Sequence, residues 1–289
     1  MTIWIKRLML TVAVVALAVT GIFAERLYRA QLADQRQLDN AALVRSELRR
    51  LPSLAADAAA AAPQGFEQLA ASDSQLYRSW GRLYKQLHSE SAGQASPVPA
   101  AAVRFAGELR ALRSDVASII AERAGPEQWR QLASSSAAAL PQLESALTPQ
   151  VERLIASGAR SATVVLAQQQ LWWLQRLDRG IAELVTAPAV DESALVALEV
   201  RAEQIAQALQ ALQSLGDGDA ALDAALAQFA GVGQALLAFK QQLPAFLAAQ
   251  RAADRLRGQE QPLLAELEQL EQQIRRRAAQ PLWQRAAPP

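Results

Sequence analysis

The chain has 289 residues, of which 51% are hydrophobic and 20% charged, with a net charge of +1 and no cysteine. The missing thiols exclude disulfides and thiolate metal sites, and the charge balance gives no electrostatic case for nucleic acid. Alanine, leucine, glutamine, arginine and glutamate dominate while aromatics are 5%, the composition of long helices and coiled coils.

The first element is an apolar run without charge, Leu8 to Phe23 (LMLTVAVVALAVTGIF), preceded by Lys6 and Arg7 and followed by Glu25, Arg26 and Arg29. A spanning helix needs about 20 apolar residues. Counting from Trp4, with Lys6 and Arg7 snorkelling, the run is long enough. A cleaved signal peptide is the rival reading, but cleavage after Ala24 would place Ile22 where a small residue is preferred. The expected order is a cytoplasmic N-terminus at 1–7 and a transmembrane anchor at 8–24. The basic residues before the run put the body outside the cytoplasm, so the expected location is the bacterial inner membrane, single pass, with the body in the periplasm.

Beyond the run, breakers divide the chain at Pro63 and Gly65, at 93–99 (GQASPVP), at Gly125-Pro126, at Gly158, at Pro188 to Asp191, at Gly216 to Gly218 and at Pro244. Eight helices of roughly 24 to 38 residues result, with Pro52 a candidate kink in the first. No convincing strand is present, because β-branched residues are few and period-2 alternation is missing. Apolar positions follow heptad spacing along Phe66, Leu69, Asp73, Leu76, Trp80, Leu83 and Leu87. The same spacing recurs around Leu109, around Leu177, around Ile205, around Phe239 and around Leu267, keeping one stripe per helix against its neighbours. The expected fold is all-α: a membrane-anchored, elongated antiparallel helical bundle, as two stacked four-helix modules at 25–158 and 159–289. One extended bundle of four longer helices is the alternative.

Catalytic patterns are missing. His88, the single histidine, has no second ligand at metal-binding spacing and reads as a surface residue. Ser134, Ser135 and Ser136 lack a base in a motif. Gly231-Val232-Gly233 lies within a heptad stripe without a strand before it. The expectation is therefore no enzyme, no cofactor and no metal.

Three features are candidates for a ligand or partner. Asp73 sits on the core register, where a buried carboxylate needs a partner such as Arg45 or Arg49; the blander reading is a polar position that sets register at the stripe's edge. Trp172 and Trp173 are consecutive and point about 100° apart, so one is free to face a partner, although an inter-helix contact is commoner. The arginines of 43–51 (LVRSELRRL) suit an anion, or more simply a solvated, salt-bridged face.

Leu140 to Leu177 (LPQLESALTPQVERLIASGARSATVVLAQQQLWWLQRL) resembles the extracytoplasmic region of the PilJ-type methyl-accepting chemoreceptors of type IV pilus systems. The resemblance rests on Pro141, Gln142 and Leu143, then Gly158, then Ala167, Gln168 and Gln170. Before it come an arginine-rich first helix (Arg45 to Leu51), an alanine-rich turn, Phe66 to Trp80 and a proline-containing loop, so the likeness spans most of 40–215 in order. It departs at Leu48, Arg49 and Arg50, where the family has serine, glutamine and arginine. The resemblance implies sensing of pilus subunits or surface contact, parallel homodimers, and a second membrane span, HAMP linker and signalling hairpin. On this expectation the chain is either the sensory region of such a receptor or a stand-alone relative. The other functional expectation is a membrane-anchored coiled-coil scaffold of the cell envelope, with other envelope proteins as partners.

Overall fold

The computed structural model describes residues 2–94, 99–186, 190, 192–214 and 220–280. These contain seven helices and no strand: α1 (Thr2–Ala59), α2 (Gly65–Gln94), α3 (Ala100–Ala121), α4 (Ala124–Ala156), α5 (Ser161–Thr186), α6 (Glu192–Ser214) and α7 (Ala220–Ala279). The fold is all-α. The backbone of 8–24 is part of α1, while most side chains of that run lie outside the described residues, as do Pro188, Asp191, Gly216 to Gly218 and 95–98.

Several expected breakers end helices for visible reasons. After α1, Ala61 and Gln64 adopt φ of 53° and 61°, and the Ala62 N–H reaches back to the Asp57 carbonyl at 2.8 Å. After α4, Gly158 takes φ +66°, and the Ala159 N–H bonds the Leu154 carbonyl at 3.1 Å. A left-handed residue just past a helix end satisfies its last carbonyls, and glycine enters that conformation without a Cβ penalty.

Pro244 departs from expectation. It lies inside α7, which runs 60 residues without interruption, so the chain has seven helices among the described residues, not eight. A mid-helix proline costs about 3 kcal/mol. Here its ring is exposed, so the freed backbone carbonyl is open to water, while Phe239 and Phe246 on the other face are at most 2% exposed. Burying each such side chain contributes about 1.5–3 kcal/mol, enough to hold the helix together.

The chain divides into two compact units. Unit 1 is Met1–Leu54, Glu67–Val116 and Arg255–Pro289; unit 2 is Ala55–Phe66 and Ala117–Asp254. These limits differ from the expected modules at 25–158 and 159–289. Because α7 is unbroken, its C-terminal part joins α1, α2 and α3 in unit 1, and α4 joins α5, α6 and the N-terminal part of α7 in unit 2.

Side-chain bonds trace unit 1 as a ring of antiparallel neighbours. In unit 1, Asn40 donates to Gln86 at 3.1 Å and Ser72 to Glu47 at 2.6 Å, joining α1 to α2. Arg113 meets Asp73 at 3.4 Å, joining α2 to α3. Arg104 donates twice to Glu266, at 2.9 and 3.0 Å, joining α3 to α7. Arg45 donates to Glu271 at 2.7 Å, closing α7 onto α1. In each pair of helices residue numbers rise on one as they fall on the other, as in an up-down bundle. Phe105, Leu69, Leu83 and Leu112 are at most 1% exposed, and Trp80 packs on Phe105 at 4.4 Å.

In unit 2, Gln175 bonds Glu144 across α5 and α4 at 2.7 Å, and Lys240 bonds Glu199 across α7 and α6. Trp129 of α4 packs on Phe239 and Phe246 of α7 at 4.7 and 5.2 Å. The start of α4 comes so close to α7 that a Cβ at Gly125 would overlap the Phe246 backbone nitrogen and stand 2.7 Å from its Cα.

Candidate functional site

The expected ligand residues fall into separate groups. Arg45, Arg49 and Asp73 belong to unit 1, Trp172 and Trp173 to unit 2. Asp73 does not pair with Arg45 or Arg49. The core register on α2 runs through Ser72, which is 5% exposed, and Asp73 stands one position away at the stripe's edge, facing Arg113 of α3. Burial raises its carboxyl above the usual value, and the charge and hydrogen bond of Arg113 oppose that rise. Arg49 is exposed. Arg45 reaches Glu271 of α7, and Arg50 lies 3.6 Å from Glu47 on its own helix.

Arg45 is one member of a polar seam between α1 and α7 that heptad reasoning did not anticipate. Asp34, Gln37 and Glu271 are at most 6% exposed. Arg277 donates to Gln37 at 2.7 Å and to Asp34 at 3.3 Å. Glu271 accepts from Arg45 through Oε2, while its Oε1 is buried with no hydrogen-bond partner among the described residues. On α3, Asp115 accepts from Arg255 and Gln259. An unpaired buried polar atom costs about 1–3 kcal/mol, and a buried ion pair roughly breaks even against apolar packing. The seam is therefore not the source of unit 1's stability.

In unit 2, Trp172 is 51% exposed and Trp173 is half-buried, their rings 4.7 Å apart and edge to face. The Arg176 guanidinium lies over Trp172 at 5.2 Å, and that of Arg201, from α6, over Trp173 at 5.0 Å. Both tryptophans thus meet cations, the second across helices. Around them a groove of about 410 Å³ opens, lined by Trp172, Arg176, Arg179, Gly180, Glu183 and Arg201. Gly180 brings α5 close to α6: a Cβ there would stand 2.6 Å from Leu198 Cδ2. Arg176, Arg179 and Arg201 were missed in the sequence. A signal for two of them was present, because Trp172, Arg176, Arg179 and Glu183 follow i, i+4, i+7, i+11 spacing and share an arc of about 60° on α5. Arg201 has no local signal, since only the fold brings α6 beside α5.

Other candidates have structural roles. The hydroxyls of Ser134, Ser135 and Ser136 donate to carbonyls three residues back on α4, the local bonding serines adopt inside helices. His88 is exposed and stacks on Tyr84 at 6.4 Å. Val232 is buried within α7, and a Cβ at Gly231 or Gly233 would touch nothing. Among the described residues no three His, Cys, Asp or Glu side chains converge as metal ligands. Also among the described residues, Leu222–Ala279 is long and apolar enough to cross a membrane, by length and composition alone. Its Phe229, Val232, Phe239 and Phe246 are core residues of unit 2, which explains the apolar composition without a membrane.

No protein-family model matches the chain, and no curated protein matches it.

Proposed function

We propose that this chain is an extracytoplasmic sensory region of the PilJ-like kind, held in the inner membrane by its N-terminal run and answering pilus- or surface-related signals by small displacements of α1 against α7. One observation carries the reading. α1 is a single helix from Thr2 to Ala59, and its buried face meets the C-terminal part of α7 through Asp34, Gln37, Arg45, Glu271 and Arg277 instead of a purely apolar stripe. A shift at such a seam exchanges one set of hydrogen bonds for another, and the continuous helix transmits it toward the membrane. A signal that binds one register better shifts the population toward it. The reading assigns no catalytic step.

The test replaces the charge pair by apolar residues, Arg45→Leu with Glu271→Leu, in the full chain in its own cells. Stability is expected to hold or rise, while surface-dependent twitching motility changes as it does on deletion of the gene. Normal motility in both the deletion strain and the double variant would refute the sensory role. An envelope assembly defect in the deletion strain would then favour an anchored scaffold.

A further inference from the structure

The groove between α5 and α6 has the chemistry of a binding site in its own right. Among the described residues, Arg176, Arg179 and Arg201 pair with no carboxylate, so three cations face one groove carboxylate, Glu183. Two of the three guanidiniums already lie over indole faces, which limits the side-chain freedom that binding would remove. Planar guanidiniums hold carboxylates and phosphates in two-point contact, and the half-exposed Trp172 offers a flat apolar surface beside them. A volume of about 410 Å³ is near the lower end for small-molecule sites and suits a single-ring ligand.

We propose that this groove binds a small organic oxyanion, a carboxylate or phosphate carried on a planar ring, with Arg176, Arg179 and Arg201 holding the anion and Trp172 the ring. The site is built from residues of unit 2 alone, and the proposal does not rest on the sensory reading.

The experiment is a calorimetric titration of the full chain in detergent micelles with phenyl phosphate, benzoate, inorganic phosphate and, as a neutral control, benzyl alcohol. Phenyl phosphate or benzoate is expected to bind, which also tells phosphate from carboxylate, and benzyl alcohol is not. Arg176→Gln and Arg179→Gln should each weaken binding about ten-fold, as loss of a charged hydrogen bond does. Trp172→Leu should weaken the ring-bearing anion and leave inorganic phosphate unchanged. All three positions are exposed, so the melting temperature of the variants should stay that of the parent. No binding of either ring-bearing anion at millimolar concentration, equal binding of benzyl alcohol, or unchanged affinity in both arginine variants would overturn the site. Motility does not enter these measurements, so their failure is separate from failure of the sensory reading.

Discussion

At the scale of single residues, Asp73 and the glycines make opposite kinds of statement. The Asp73 carboxyl is raised by burial, so the folded state favours its protonated form. The stability this contributes is complete below the unfolded value, about 3.9, and is lost as pH rises through the higher folded value. Asp73→Asn should therefore gain on the parent as pH rises from 4 to 7, and at pH 7 it should be at least as stable. Thermal melts of the two proteins across that range decide the point: a larger deficit of the variant at pH 7 than at pH 4 would mean that the Arg113 pair outweighs burial. Gly125 is required by contact, because α7 backbone occupies the space of a Cβ. Gly125→Ala should cost about 1–3 kcal/mol, the usual effect of overpacking. Gly231, also within a helix, has nothing near its missing Cβ, so Gly231→Ala should stabilise by about 0.5–1 kcal/mol. Chemical denaturation of both variants checks the contrast, and equal effects would remove the steric argument.

At the scale of elements, the heptad stripes were the most legible feature of the sequence. Leu109 and Ile205, read as core positions, are 4% and 1% exposed. An unpaired charge there costs several kcal/mol, roughly 3 or more, so Leu109→Asp in unit 1 and Ile205→Asp in unit 2 should each lower the melting temperature by about 10 °C. An unchanged melt in either protein would show that its stripe does not face a core. Glycine breakers were legible because a left-handed turn needs them, as at Gly158. Prolines were not, because tertiary packing can hold a helix through one: α1 continues through the buried Pro52, and α4 and α7 continue through Pro141, Pro149, Pro244 and Pro262, all on exposed faces. That one misreading, at Pro244, displaced the division into units, since it decided where the end of the chain packs. The α1–α7 seam was hidden for a related reason: Asp34, Gln37 and Glu271 interrupt apolar spacing, and their partners lie more than 200 positions away. The tryptophan pair was legible as a candidate, but the arginine from α6 that completes its groove depends on tertiary pairing.

At the scale of the whole molecule, the homodimer that the resemblance implies would need a different face of α1 from the one its heptads suggest. The stripe of Ala41, Val44, Leu48 and Leu51, with Asp34 and Gln37 before it, reads as a mixed seam for a second copy. In the structure all six are buried within unit 1, so the chain covers that stripe itself. The opposite face of α1 carries Tyr28, Leu32 and Leu43, which are 63%, 38% and 43% exposed. With Asp39 they fall within an arc of about 60°, half a turn from the buried stripe. A parallel pair of anchored chains would bury this outer face, and confinement to a membrane raises the effective concentration enough for a small interface to serve. The absence of native cysteine makes the test direct. Single cysteines placed from 27 to 48 in the full, membrane-inserted chain should crosslink most at 28, 32, 39 and 43 and least at 37, 41, 44 and 48. Maxima at the second set would mean that unit 1 opens to dimerise. Uniform absence of crosslinks along the series would sink the dimer, leaving a monomeric anchored body in which any displacement of α1 must be transmitted along one helix alone.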